Sequence, residues 1–154
     1  MYTFVLFAHS WTRWVLLLLA VFVFFRSLIG LIQGQSYTKL DKTLGLTFFW
    51  ALNVQFILGL ALYAGLSPVT RAAFSDMAAA MKDSAIRFFV AEHFVTAILA
   101  IGAGHFGIAR AKKSEEDRKK HMFMLIGSGI CLALMFALIP WPNLPYGRAL
   151  FFMP

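Results

Sequence analysis

Seven side chains carry chemistry that their apolar surroundings do not explain: His9, Arg13, Gln55, Glu92, His93, His105 and His121. Ionisable groups inside a membrane span are costly, so they face a partner, a cofactor or a water-filled path. Imidazole nitrogen is a common ligand of haem iron and of transition metals. Arg13 cannot shed its proton and needs an anion. Glu92 is the only acid within the apolar stretches. An Arg13–Glu92 pair, or Arg13 beside a cofactor carboxylate, would resolve both charges.

The elements that must position these groups are membrane helices. The chain has 154 residues, 60% of them hydrophobic and only 14% charged, with a mean hydropathy of +0.75. A soluble domain of this size is about half apolar and a quarter charged. Four apolar runs stand out, at about residues 3–25, 44–64, 88–109 and 122–139. Each is long enough to cross a ~30 Å hydrocarbon layer as a helix, the form that satisfies its own backbone in lipid. The expected fold is an all-α, single-domain integral membrane four-helix bundle covering residues 1–154. The stretch before Phe4 has no Lys or Arg, and no small-residue cleavage site follows the first run, so Met1 is expected to begin the first helix rather than a signal peptide.

Lysine and arginine set the expected orientation. Nine of the fourteen lie beside the ends of the runs at Arg26–Lys42 and Arg110–Lys120, and four lie on the side that holds both termini. The fourteenth is Arg13. The positive-inside rule places the nine in the cytoplasm and both termini outside. The net charge of +7 is therefore read as orientation and as contact with anionic lipid, not as nucleic-acid binding. Ser67-Pro68 is an N-cap and N1 pair for a short outer-surface helix over 69–82, and Ser84 is a candidate cap for the third span. Pro140, Trp141, Pro142 and Pro145 end the last span, with Trp141 and Tyr146 suited to the membrane interface.

Depth then pairs the histidines. His9 and His93 each lie about six residues inside their spans, ~9 Å below the outer surface at ~1.5 Å per residue. Two imidazoles at one level on different helices supply both axial ligands of a b-type haem. Gln55 and Asn53 come in at mid-membrane. Below His93, Ala97, Ala100, Gly104 and Gly107 keep to one face and would admit a flat ring. Such a stripe is also how membrane helices pack closely, and an intramembrane histidine can hydrogen-bond across helices instead of binding metal. His105 and His121 lie near the cytoplasmic side and are a possible second haem pair; a solvated His121 in the basic loop is the alternative. Cys131, the single cysteine, reads as a small core residue. Without a CxxCH, a covalently attached c-type haem is excluded. Walker, dinucleotide and hydrolase motifs are absent as well.

The opening AHSWTRW, the AEHF and the later GAGH carry a resemblance to small bacterial four-helix membrane cytochromes of the b type, the cytochrome b561-like and copper-resistance-D-like group. That resemblance implies a bacterial inner-membrane protein with haem b between facing helices, passing electrons between quinones or soluble donors and other membrane subunits. His9 and His93 would hold the outer haem, with Arg13, Gln55, Glu92 and Gly104 around it. His105 and His121 would be the inner pair. Two-haem relatives commonly share paired histidines on the same helices, whereas here the first span has one and the second has none. An electron-transfer subunit is expected in preference to a stand-alone enzyme. A haem-free accessory subunit of a larger membrane complex is the alternative, and a permease is disfavoured because no inverted repeat is present.

Overall fold

The computed structural model describes residues 1–153. All of its regular structure is helical among the described residues. Helices α1 (Tyr2–Gln33) and α2 (Lys39–Ala61) form a hairpin; α6 (His93–Lys113) and α7 (Asp117–Leu138) form a second. Between the hairpins lie three short helices: α3 (Pro68–Ser75), α4 (Met77–Ala80) and α5 (Ser84–Arg87). Wide π-type turns at Leu62–Leu66 and Phe88–Glu92 extend α2 and join α5 to α6. Four helical stretches are long and apolar enough to cross a membrane: Tyr2–Gln33, Lys39–Leu66, Ser84–Lys113 and Asp117–Leu138. Their outward faces carry Leu18, Phe22, Trp50, Ile57 and Leu99, all exposed. Such contiguous apolar surface suits lipid rather than water.

The four expected spans are present, with longer ends. α1 runs two turns past Phe25, because Ser27–Ile32 is itself apolar enough to stay on the bundle. It stops where Gly34 takes a left-handed φ of 62°, the one positive φ among the described residues. That conformation closes the helix with a bond from the Gly34 N–H to the Gly30 carbonyl, and it suits glycine. The outer-surface helix over 69–82 is two pieces instead of one. Asp76 leaves helical geometry and caps α4 through the Ala79 N–H. The third span is capped by Asp83, which accepts from the Ala85 and Ile86 N–H groups, and not by Ser84. A carboxylate one residue earlier reaches two free amides that a first-turn serine cannot.

α1 packs against α2 and α7, and α6 packs against the same two helices, so α1 and α6 face each other across the diagonal. The α6–α7 contact is the tightest. A Cβ added to Gly107 would lie 2.8 Å from the Gly127 Cα and 2.7 Å from the Phe123 carbonyl oxygen. Backbone against backbone is what paired glycines permit in a membrane helix crossing. Toward the end where α1 starts, the bundle opens into a cavity.

The hairpin turn between α1 and α2 is polar and closed. Asp41 is 4% exposed and accepts from the Thr38 N–H and hydroxyl at 2.7 Å. Arg26 reaches the same carboxylate at 2.9 Å. Burial and the Asp41 charge push the Tyr37 phenol up to about 12, so its hydroxyl keeps its proton and donates to the Asp41 carbonyl at 3.3 Å.

Candidate functional site

A cavity of about 390 Å³ lies in the half of the bundle where α1 starts, within the ~300–1,000 Å³ range of small-molecule sites. All four long helices line it, together with the segment after α7. His9 of α1 and His93 of α6 approach each other across it. Their ring centroids are 6.4 Å apart and their planes meet at 59°. The depth match read from residue counting therefore becomes a facing pair.

The ring of His9 is placed by α2. Gln55 Nε2 donates to the His9 carbonyl at 3.1 Å and lies 3.3 Å from its Nδ1. The Gln55 carbonyl oxygen in turn accepts from the Thr12 hydroxyl. Gly59 leaves the space the ring needs, since a Cβ there would sit 3.0 Å from His9 Cε1. Gln55→Leu should therefore lower stability by about 1–2 kcal/mol, because it strips the donor from a part-buried carbonyl and ring nitrogen. Thermal unfolding in detergent or nanodiscs measures it.

His93 is placed by the π turn. Its N–H bonds the Phe88 carbonyl five residues back, and wide turns of this kind gather at functional sites. The ring lies against Phe88 and Phe89. Its Nδ1 is buried without a hydrogen-bond partner.

The same π turn overturns the Arg13–Glu92 pair. Residues five apart sit ~140° apart on an α-helix, but a turn closed five residues back brings them to one face. Glu92 accordingly turns outward to the surface and bonds Arg87 at 2.8 Å. Arg13 instead donates to the Leu150 carbonyl at 2.8 Å, and its Nε is buried without a partner. Both Arg13 and Arg148 line the cavity. Neither has a carboxylate within ion-pair reach among the described residues.

The small-residue stripe divides. Ala97 and Ala100 border the cavity. Gly104 does not: a Cβ there would lie 2.5 Å from Leu52 Cδ1, so α2 side chains fill that space. Gly107 serves the α6–α7 crossing.

His105 and His121 are not brought together. His105 stacks on Phe49 of α2 at 4.7 Å, and its Nε2 is 3.1 Å from the Asn53 amide. His121 is fully buried, against Gly30 of α1 and edge-on to Tyr37 at 5.0 Å. Each ring turns to a different flanking helix, because Gly107 and Gly127 bring the α6 and α7 backbones too close to seat anything between them. The solvated reading of His121 fails as well.

Residue spacing gave no sign of the last wall. After α7 the chain folds back over the end of the bundle where α1 starts. Trp11 and Trp14 donate to the Phe152 and Leu150 carbonyls, Phe151 stacks on Trp14 at 5.3 Å, and Tyr146 lies flat on Phe88 at 3.7 Å. These aromatics hold a strap, with Tyr146 packed on Phe88. No protein-family model, curated protein or solved structure matches this chain.

Proposed function

We propose that the protein is a bacterial inner-membrane electron-transfer subunit that holds one haem b between His9 and His93. The single observation that carries this reading is the pair of facing imidazoles at 6.4 Å across a cavity between diagonal helices. An imidazole nitrogen lies about 1.1 Å from its ring centre and metal–nitrogen bonds run about 2.0–2.1 Å, so two rings on one ion have centres about 6 Å apart. The orphaned His93 Nδ1 and Arg13 Nε fit a site completed by a ligand. A haem held by the two imidazoles would supply one-electron transfer in preference to oxygen binding.

The residues divide the work. His9 and His93 would hold the iron. Gln55, tied to Thr12, fixes the orientation of the His9 ring, as groups behind metal ligands commonly do. The apolar walls exclude water, and Ala97 and Ala100 leave flat space beside α6. With the positive side inward, both termini and this cavity lie on the outer side, where soluble donors, a quinone or other membrane subunits would exchange electrons with it.

A haem-free accessory subunit is the second reading, favoured by the Thr12–Gln55–His9 bonds, which already close on themselves within the chain. Absorption spectroscopy of the purified protein decides. A reduced-minus-oxidised Soret shift and a pyridine haemochrome near one haem per chain are expected. A colourless protein that also stays colourless after haemin addition rejects the haem reading.

A further inference from the structure

We propose that Arg13 and Arg148 form a two-armed clamp for carboxylates, so that the cavity takes a flat, apolar dianion with its acid groups turned toward those two guanidiniums. This rests on the porphyrin reading above and specifies the ligand's charge and orientation.

The argument begins with charge balance. The cavity wall contains two arginines and neither aspartate nor glutamate. Arginine stays protonated under all ordinary conditions. A guanidinium held in an apolar, water-poor setting is costly unless an anion or several acceptors meet it. Arg13 has one main-chain acceptor, Leu150, and a buried Nε with none. Arg148 rests over the Phe89 ring at 4.1 Å. Glu92, the acid that residue counting offered as a counter-ion, is spent on Arg87 at the surface. No carboxylate of the described residues meets either guanidinium, so each is open to an acid group carried by a ligand.

Position gives the orientation. Arg13 lies one turn below His9 on α1, and Arg148 lies over Phe89, whose ring also lies against His93. The clamp thus sits beside the imidazole pair, while Leu52, Phe56, Phe94, Ala97 and Ala100 supply an apolar part of the wall. Arg148 is fixed in place by the strap that carries it. Trp11, Trp14 and Phe151 bind the residues just after it to α1. Arginine is suited to this task because its planar fork can meet a carboxylate with two parallel bonds.

The test needs no iron. The full-length apoprotein in nanodiscs is titrated with metal-free protoporphyrin IX, which has two carboxylates, and with its dimethyl ester, which has none. Porphyrin fluorescence reports binding. The acid should bind about 100-fold more tightly than the ester, about tenfold for each charge-assisted contact. Arg148→Gln and Arg13→Gln should each lose about tenfold for the acid and leave the ester unchanged. Equal affinities for acid and ester in the wild-type chain overturn the clamp, as does an Arg148→Gln variant that weakens both ligands alike. Haemin separates this failure from that of the parent reading. A six-coordinate spectrum with no acid preference leaves the histidine site standing and removes the clamp. No binding of any porphyrin, with or without iron, removes both.

Discussion

Alanine at His93 is expected to abolish the six-coordinate haem spectrum of the purified protein and lower haem retention by at least about 100-fold, since loss even of a group behind a metal ligand costs 10–100-fold. The helical content should stay as in the wild type, because the ring contributes no cross-helix hydrogen bond that α6 needs to pack. The pyridine haemochrome measures retention and circular dichroism the fold. Imidazole added to the buffer should restore part of the spectrum, since the truncated side chain leaves a ring-sized space opposite His9. His105→Ala is the matched control: its ring is engaged by Phe49 and Asn53, so the spectrum should not move. His121→Ala should cost stability through the cavity it leaves against Gly30 and Tyr37, again without spectral change. Loss of the signal in His105→Ala or His121→Ala with His93→Ala unaffected would place the iron at the wrong end of the bundle for the reading given above.

How far residues alone carry the structure depends on whether a feature is local. The four spans follow from apolar length, since a helix is what satisfies a backbone in lipid. The level of His9 with His93 follows from rise per residue. That they face each other does not follow from depth alone, since His105 and His121 turn to different helices. Phase around the third span was not legible. The wide turn at Phe88–Glu92 inserts a shift that no composition signal in FFVAE announces, and it moves Glu92 from the interior to the surface. The small residues below His93 looked continuous, yet Leu52 fills the space at Gly104 while Gly127 meets Gly107. Only the opposing helix decides between those uses. The strap is the least local feature of all. Arg13 and Leu150 are 137 residues apart, and the tryptophans of α1 carry no mark of the carbonyls they find.

Asp41→Ala should destabilise the protein by about 3 kcal/mol, since removing one partner leaves the other's buried charge unmatched. Arg26 is the charge left behind, and its side chain is only 20% exposed beside the carboxylate. The Thr38 cap of α2 is lost with it. Arg26→Met combined with Asp41→Leu should recover most of the loss, because an apolar pair of similar volume often replaces a buried ion pair without cost. The consequence reaches the histidines through helix register. Thr12–Gln55 and Arg26–Asp41 both tie α1 to α2. On each antiparallel helix the two ties are fourteen residues apart, ~21 Å at the helical rise. Equal spacing means that one register satisfies both, and either tie alone opposes a slip of α1 along α2. The Asp41→Ala protein should therefore keep its His9–His93 geometry, and its haem affinity should fall less than tenfold if Thr12–Gln55 still holds. Adding Gln55→Leu should cost more than the sum of the two single changes, although sites this far apart are ordinarily additive. Thermal melts of the four proteins, with haem titration of each, measure the coupling. Strict additivity in both quantities would mean that the polar turn between α1 and α2 stabilises the hairpin without setting the position of His9.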